Sequence, residues 1–259
     1  MSGADGSEPT RYGADPSQFV EMRHPQSEPK GLAVLIHGGY WRDRYALDLM
    51  EPMARHVVAQ GWVAANIEYR RVPERVPAEI DGGPPWVAMS QDQRSALAAA
   101  RAHYRARWRT DPGVITVIGH SAGGQLALWL GKAAADDQAV DLVVALAPVA
   151  DLVDGDARGL SDGAVSLLLG GGSEQLPDRY REASPRHLLP LGVAQLVVHG
   201  DADVNVPPDM TDAYAAAGLA AGDRVELLTP TGVDHFDVID PAHAVWRAID
   251  ARMEALATP

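Results

Sequence analysis

Runs of apolar residues alternate with amphipathic segments along most of the chain. Six runs are rich in Val, Ile, Leu and Ala and do not alternate between apolar and polar residues, which is typical of strands in a parallel sheet buried on both faces. They are GLAVLIHG, WVAANIEY, GVITVIG, VDLVVALAP, AQLVVHG and RVELLTP, which begin at residues 31, 62, 113, 140, 194 and 224. Segments with helical periodicity begin at residues 46, 87, 122, 206 and 241. Strands that alternate with helices predict an α/β fold with a mostly parallel central sheet and helices on both faces.

The length of the chain suits one large α/β domain, which we expect to cover residues 1–259. Residues 1–18 are mostly small and polar, so they predict a flexible N-terminus. Residues 151–190 lie between two core strands and are too few for a separate domain. We expect this insert to form a small cap over the edge of the sheet.

Composition removes several classes of function. The net charge is -13, whereas a broad nucleic-acid surface needs clustered Lys and Arg. The absence of cysteine excludes disulfides, thiolate zinc sites and cysteine nucleophiles. No apolar run is long enough for a membrane helix, and the N-terminus lacks the pattern of a signal peptide, so we expect a cytoplasmic protein.

No histidine pair has metal-ligand spacing. We expect no metal or cofactor, and we leave a homodimer open.

A serine lies between a strand and a helix in the most informative segment. Gly119-His120-Ser121-Ala122-Gly123 fits G-x-S-x-G, with GVITVIG before it and an amphipathic segment after it. A sharp strand-to-helix turn needs small residues on both sides of the serine and lifts its hydroxyl out of the sheet. The alternative is a tight turn with an incidental serine. Because strand, motif and helix occur together, we identify Ser121 as a candidate nucleophile.

A serine nucleophile needs a base and a carboxylate that orients the base. His235 lies on the loop that follows the last predicted strand, RVELLTP. Asp201 and Asp203 both follow the strand AQLVVHG, and position alone leaves the choice between them open. In either case the chain order is Ser, Asp, His, which is the order expected for α/β-hydrolases.

The stretch His37-Gly38-Gly39-Tyr40-Trp41 follows the first predicted parallel strand. Glycine lets the backbone approach a substrate oxygen closely, and main-chain N–H groups can stabilise the oxyanion that forms there. We expect Gly39 and Tyr40 to supply such groups, together with Ala122, the residue after the nucleophile. Alone, this stretch would indicate an ordinary glycine-rich turn.

The chain resembles the α/β-hydrolase superfamily over nearly its whole length. Within it, the chain looks like the HGGXW group of esterases and arylformamidases, of which kynurenine formamidase is the best-known type. The resemblance is carried by HGGYW at residues 37–41, GHSAG at 119–123, HGDADVNVP at 199–207 and DHF at 234–236. It implies an α/β-hydrolase fold and favours Asp203 as the carboxylate, with Asp201 bracing the turn. It also implies cleavage of an N-formyl aryl amide or small ester through an acyl-enzyme.

Three aromatic residues are candidates for substrate binding. Trp41 and Phe236 adjoin the proposed catalytic residues in sequence, and Trp86 lies on a Pro- and Gly-rich loop. Equally, Trp41 and Trp86 could pack loops onto the core. The expected activity is that of an arylformamidase acting on a small-molecule substrate. The alternatives are a general carboxylesterase of small esters and a non-catalytic ligand-binding protein on the same fold.

Overall fold

The computed structural model describes residues 8–73, 79–135 and 140–257. An eight-stranded sheet runs through it in the order β1-β2-β4-β3-β5-β6-β7-β8. β2 pairs antiparallel with β1 and β4, and all other neighbouring strands are parallel. This architecture confirms the predicted α/β fold with a mostly parallel sheet. The strands are β1 (Glu8–Arg11), β2 (Phe19–Arg23), β3 (Leu32–Ile36), β4 (Val63–Glu68), β5 (Ile115–His120), β6 (Leu142–Leu146), β7 (Ala194–Val198) and β8 (Val225–Leu228).

Helices follow most of the parallel strands. They are α1 (Glu51–Ala59), α2 (Pro85–Trp108), α3 (Ala122–Ala133), α4 (Leu152–Ala157), α5 (Leu160–Leu169), α6 (Pro177–Ala183), α7 (Pro185–Leu188), α8 (Pro208–Ala220) and α9 (Trp246–Ala257), with 3-10 turns at Leu47–Met50 and Asp237–Ile239. The insert between β6 and β7, residues 151–190, carries the four helices α4 to α7.

The continuous apolar strands are explained by burial on both faces. In β3, Val34 and Ile36 point to one side, where they join the cluster that contains Leu126 of α3. Leu35 points to the other side and joins the cluster that contains Met53 of α1 and Ile249 of α9. Because successive side chains of a strand alternate between faces, a sheet covered by helices on both sides favours apolar residues on both faces.

The expectation of a flexible N-terminus is wrong for residues 8–18. β1 pairs with β2 at the edge of the sheet. Thr10 Oγ1 lies 2.9 Å from His103 Nδ1, and the Tyr12 hydroxyl donates to the carbonyl oxygen of Glu68 at 2.6 Å. Pairing with β2 and these side-chain bonds order a segment whose sequence has no apolar pattern. Residues 1–7 lie outside the described part of the chain.

The order of the strands reverses beside β3. The chain passes from β3 to β4 on one side and later returns to add β5 on the other side. In open α/β sheets, ligands bind in the crevice outside the carboxyl ends of the strands at such a point. The loops that follow β3 and β5 carry HGGYW and the candidate nucleophile, so both motifs lie beside this crevice.

Candidate active site

Ser121 occupies the sharp turn between β5 and α3. Its backbone has φ 56° and ψ -119°, a region that non-glycine residues rarely adopt, and such strain clusters at functional sites. The flanking glycines are required by space. A Cβ on Gly119 would lie 2.1 Å from the carbonyl oxygen of Gly123, and a Cβ on Gly123 would lie 2.2 Å from that of Ile36. The G-x-S-x-G pattern is therefore a consequence of backbone packed against backbone.

The loop after β3 lies directly against this turn. A Cβ on Gly38 would lie 2.9 Å from the Ser121 Cβ and 2.8 Å from the carbonyl oxygen of His120. Gly39 has φ +107°, in the left-handed region that favours glycine. His37 is buried and braces the loop, because its Nε2 lies 3.2 Å from Glu68 Oε1 and its ring stacks on Tyr69. The two glycines are thus explained by a close approach to Ser121 and by a strained turn.

The loops after β7 and β8 bring Asp203 and His235 together. Asp203 Oδ2 accepts a hydrogen bond from His235 Nδ1 at 2.6 Å. Asp203 Oδ1 accepts the main-chain N–H groups of Asn205 at 2.7 Å and Val206 at 3.0 Å. Burial raises the pKa of this carboxyl, but the hydrogen bonds from His199 and His235 outweigh it and hold the pKa of Asp203 well below its usual range. The carboxylate is therefore ionised at neutral pH.

Asp201 braces the loop that follows β7. Its Oδ1 accepts the main-chain N–H of Gly232 at 2.6 Å, which ties the loop after β7 to the loop after β8. Its side chain is exposed and does not contact His235. The position of Asp201 and Asp203 in the sequence did not decide between them, and Asp203 is the one that contacts His235.

His199 is a buried partner of Asp203 to which the sequence reasoning assigned no role. Its Nε2 lies 3.0 Å from Asp203 Oδ2 and 3.1 Å from the carbonyl oxygen of Val206. Both partners only accept, so Nε2 carries a proton. Its Nδ1 lies 2.6 Å from Thr211 Oγ1. Asp203 Oδ2 therefore receives two imidazole donors, which fix the carboxylate against His235. The spacing of His199 four residues before Asp203 was the available signal.

His120, the residue before Ser121, packs under His235. Its ring centroid lies 4.7 Å from that of His235, and its Nε2–H donates to the His235 carbonyl oxygen at 2.9 Å. Burial, followed by repulsion from His235, lowers the pKa of His120 to about 3. His120 is therefore neutral at pH 7 and places no second positive charge beside His235.

Ser121 and His235 are 2% and 4% exposed. Among the residues that the structure describes, Ser121 Oγ makes no hydrogen bond, whereas His235 Nδ1 is held by Asp203. Serine–base hydrogen bonds are often long before substrate binds. Ser121 and His235 are linked through His120, which is the last residue of β5 and contacts His235 through both its ring and its Nε2.

Two of the aromatic residues expected to bind substrate belong to the core instead. Trp41 is 0% exposed, and its indole N–H donates to Gln125 Oε1 at 3.0 Å. Trp86 is 4% exposed and packs edge-on against Trp129. For both, the structure favours the alternative of loop packing, because neither presents a surface to a ligand. Phe236 is 53% exposed with its ring edge-on to that of His235, so it stays a candidate for substrate contact.

No group of three or more His, Asp or Glu side chains in the described part of the chain could hold a metal ion. No helix in residues 8–73, 79–135 and 140–257 combines the length and the hydropathy that crossing a membrane requires.

Two solved esterase structures have the same fold as this chain. A truncated carbohydrate esterase from gut microbiota has a TM-score of 0.78 at 19% identity, covering 99% of each chain. Esterase B from Lactobacillus rhamnosis has a TM-score of 0.77 at 19% identity, covering 99% of this chain and 88% of that one. At these identities the similarity shows a shared α/β-hydrolase fold.

Curated relatives match most of this chain. Esterase LipC of Mycobacterium tuberculosis is 27% identical over 252 residues, which are 89% of this chain and 60% of LipC. Esterase LipQ of the same organism is 26% identical over 216 residues, or 77% of this chain and 49% of LipQ. The chain thus spans between half and three fifths of the length of these relatives. The model of the BD-FAE family matches residues 20–217, which include the turns around Ser121 and Asp203. The chain therefore belongs to the BD-FAE family, a family of α/β-hydrolase esterases.

Proposed function

We propose that this protein is a serine hydrolase that cleaves esters of small acyl groups through an acyl-enzyme. Ser121 is the nucleophile, His235 the general base and Asp203 the orienting carboxylate. The observation that carries the proposal is the 2.6 Å contact between Asp203 Oδ2 and His235 Nδ1, at the same sheet edge as the strained turn of Ser121. The family match and the esterase relatives support the same reaction class.

The first step makes a serine hydroxyl nucleophilic. Because His235 donates from Nδ1 to the ionised Asp203, its Nε2 carries the free lone pair. Nε2 takes the proton of Ser121 as Oγ attacks the carbonyl carbon of the ester. The resulting imidazolium faces the Asp203 carboxylate, and the neutral His120 beneath it does not oppose its charge.

Attack converts the carbonyl oxygen into an oxyanion. The main-chain N–H groups of Gly39, Tyr40 and Ala122 are the proposed donors, because the loop after β3 lies against Ser121. Collapse of the tetrahedral intermediate breaks the bond to the leaving alcohol, which takes the proton from His235. Water, deprotonated by the same Nε2, then attacks the acyl-enzyme, releases the acid and restores Ser121.

The finer proposal is that the substrates of this enzyme are formamides of arylamines. Its support is the HGGYW sequence of the loop and the enclosure of Ser121, since a formyl group is the smallest acyl group that such a site could take. The same chemistry applies, with an arylamine as the leaving group. A general carboxylesterase differs only in the shape of its pocket, and the curated esterases favour it.

The test measures kcat/KM for N-formylkynurenine and for p-nitrophenyl acetate with wild-type protein and Ser121→Ala. Ser90→Ala is the matched control, because its hydroxyl bonds only the Val87 carbonyl on the exposed side of α2. We expect ester turnover in wild type and Ser90→Ala and none in Ser121→Ala. Preference for the formamide would establish the finer proposal, and turnover of the acetate alone would leave a carboxylesterase. Undiminished turnover in Ser121→Ala, or none in wild type, would refute the proposed function.

A further inference from the structure

The loop after β3 holds three consecutive residues in the left-handed region. Gly39, Tyr40 and Trp41 have φ values of 107°, 48° and 60°. Glycine adopts this conformation without strain, whereas for Tyr40 and Trp41 it is unfavourable. Strained residues persist only where the surrounding structure over-determines them. Other contacts must therefore hold this loop, whose N–H groups are the proposed oxyanion donors.

One such contact is made by the Tyr40 side chain. Its hydroxyl donates to the carbonyl oxygen of Asn205 at 2.5 Å, and the Asn205 N–H in turn donates to Asp203 Oδ1. Burial, followed by the nearby Asp203 carboxylate, raises the pKa of Tyr40 to about 12, so the phenol stays protonated and able to donate. The bond joins the loop after β3 to the loop after β7, although β5 and β6 lie between those strands.

The second contact holds Trp41. Its indole N–H donates to Gln125 Oε1, and Gln125 Nε2 donates to the carbonyl oxygen of Ala183 at 2.9 Å. Gln125 is fully buried and lies one helical turn after Ser121 in α3. It therefore links the helix of the nucleophile, the loop after β3 and the insert between β6 and β7. A buried amide with both groups satisfied fixes its partners in one arrangement.

We propose that the Tyr40 hydroxyl and the Gln125 side chain are positioning residues for oxyanion stabilisation. They hold the loop after β3 from its two flanks, so that the main-chain N–H groups of Gly39 and Tyr40 stay aimed at the carbonyl oxygen bound over Ser121. The inference rests on the proposed function. Loss of either bond lets the strained loop relax away from Ser121, which weakens stabilisation of the oxyanion more than binding of the ground-state ester.

The variants are Tyr40→Phe, which removes one oxygen and keeps the ring, and Gln125→Met, which keeps the approximate volume without the amide. Tyr180→Phe is the matched control, because its hydroxyl likewise bonds a main-chain oxygen, that of Gly171 in the insert. For each variant, kcat and KM are measured with p-nitrophenyl acetate, and Tm reports folding. Affinity for trifluoroacetophenone reports the oxyanion, since Ser121 Oγ adds to its carbonyl carbon, passes its proton to His235 and leaves a negative oxygen.

We expect kcat to fall about 10-fold in Tyr40→Phe and in Gln125→Met, with KM nearly unchanged and ketone affinity reduced by the same factor as kcat/KM. Tyr180→Phe should match wild type in all three quantities. If both variants lose thermal stability but keep wild-type kcat and ketone affinity, the two bonds are merely structural and the inference is wrong. It is equally wrong if KM alone rises. Ser121→Ala distinguishes failure of this inference from failure of the proposed function, because undiminished turnover in Ser121→Ala would refute the proposed function itself.

Discussion

Gly38→Ala adds one methyl group where the loop after β3 lies against the turn of Ser121. The new Cβ would lie 2.9 Å from Ser121 Cβ and 2.8 Å from the carbonyl oxygen of His120. Carbon atoms prefer separations of about 3.5 Å or more, so the loop must move by about 0.6 Å. A displacement of about 1 Å in an active site can lower the rate about 100-fold. We therefore expect kcat for p-nitrophenyl acetate to fall between about 10-fold and 100-fold, or roughly 1.4–2.7 kcal/mol in barrier height.

The matched control for Gly38→Ala is Gly113→Ala, because a Cβ at Gly113 meets no atom within 4 Å. Steady-state kinetics give kcat and KM for both variants, and thermal unfolding shows that both are folded. We expect Gly113→Ala to retain the wild-type kcat. A Gly38→Ala protein that melts normally and turns over at the wild-type rate would show that the close approach of this loop to Ser121 does not matter for the reaction.

Two further predictions concern charge. Asp203→Asn removes the carboxylate that accepts the hydrogen bond of His235 Nδ1–H. We therefore expect kcat for p-nitrophenyl acetate to fall about 10⁴-fold. A loss of less than about tenfold would exclude the proposed role of Asp203. Burial lowers the pKa of His120 in the folded protein from 6.5 to about 3. Below pH 6.5 the unfolded chain therefore binds more protons than the folded one. The stability that depends on neutral His120 is lost progressively as the pH falls from 6.5 toward 3. Urea unfolding between about pH 7 and pH 5 should show a falling free energy of unfolding, with a smaller fall in His120→Gln, and equal falls in the two proteins would contradict this interpretation.

The parallel part of the fold could be predicted because its strands are mostly apolar, with isolated polar positions such as Asn66 of β4 and Gln195 of β7. Each of the six predicted apolar runs coincides with one of the strands β3 to β8, and β5 extends one residue beyond its run. The antiparallel edge was not predicted. In β2, the sequence FVEMR mixes apolar and charged residues, and β1, with the sequence EPTR, has no apolar pattern. These edge strands are specified by pairing with a neighbour that is distant in sequence, which a local pattern does not reveal.

In the candidate site, too, some features could be predicted from the sequence and others could not. The turn of Ser121 could be predicted because the steric requirement for small residues lies within one short segment of the chain. The choice of Asp203 over Asp201 needed a resemblance, since two loops must meet before one carboxylate faces His235. Trp41 looked like a ligand contact from its place in HGGYW, but its backbone, at φ 60°, turns it into the core.

The bonds made by Tyr40 and Gln125 lay beyond sequence reasoning altogether. Their partners, Asn205 and Trp41, are 165 and 84 residues away in the chain. Tertiary packing alone decides such pairs. These bonds hold the loop beside the proposed catalytic residues, whereas the sequence motifs mark only those residues themselves.

Covalent labelling shows whether Ser121 is an activated nucleophile. A fluorophosphonate reacts when serine Oγ attacks phosphorus, fluoride leaves and the base takes the proton, so it reports an activated hydroxyl without a choice of substrate. Folded wild-type protein is labelled, digested and analysed by mass spectrometry, with denatured protein as the control. We expect stoichiometric modification of Ser121 in the folded protein and none after denaturation. A folded protein in which Ser121 stays unmodified, or in which another residue takes the label, would contradict this expectation.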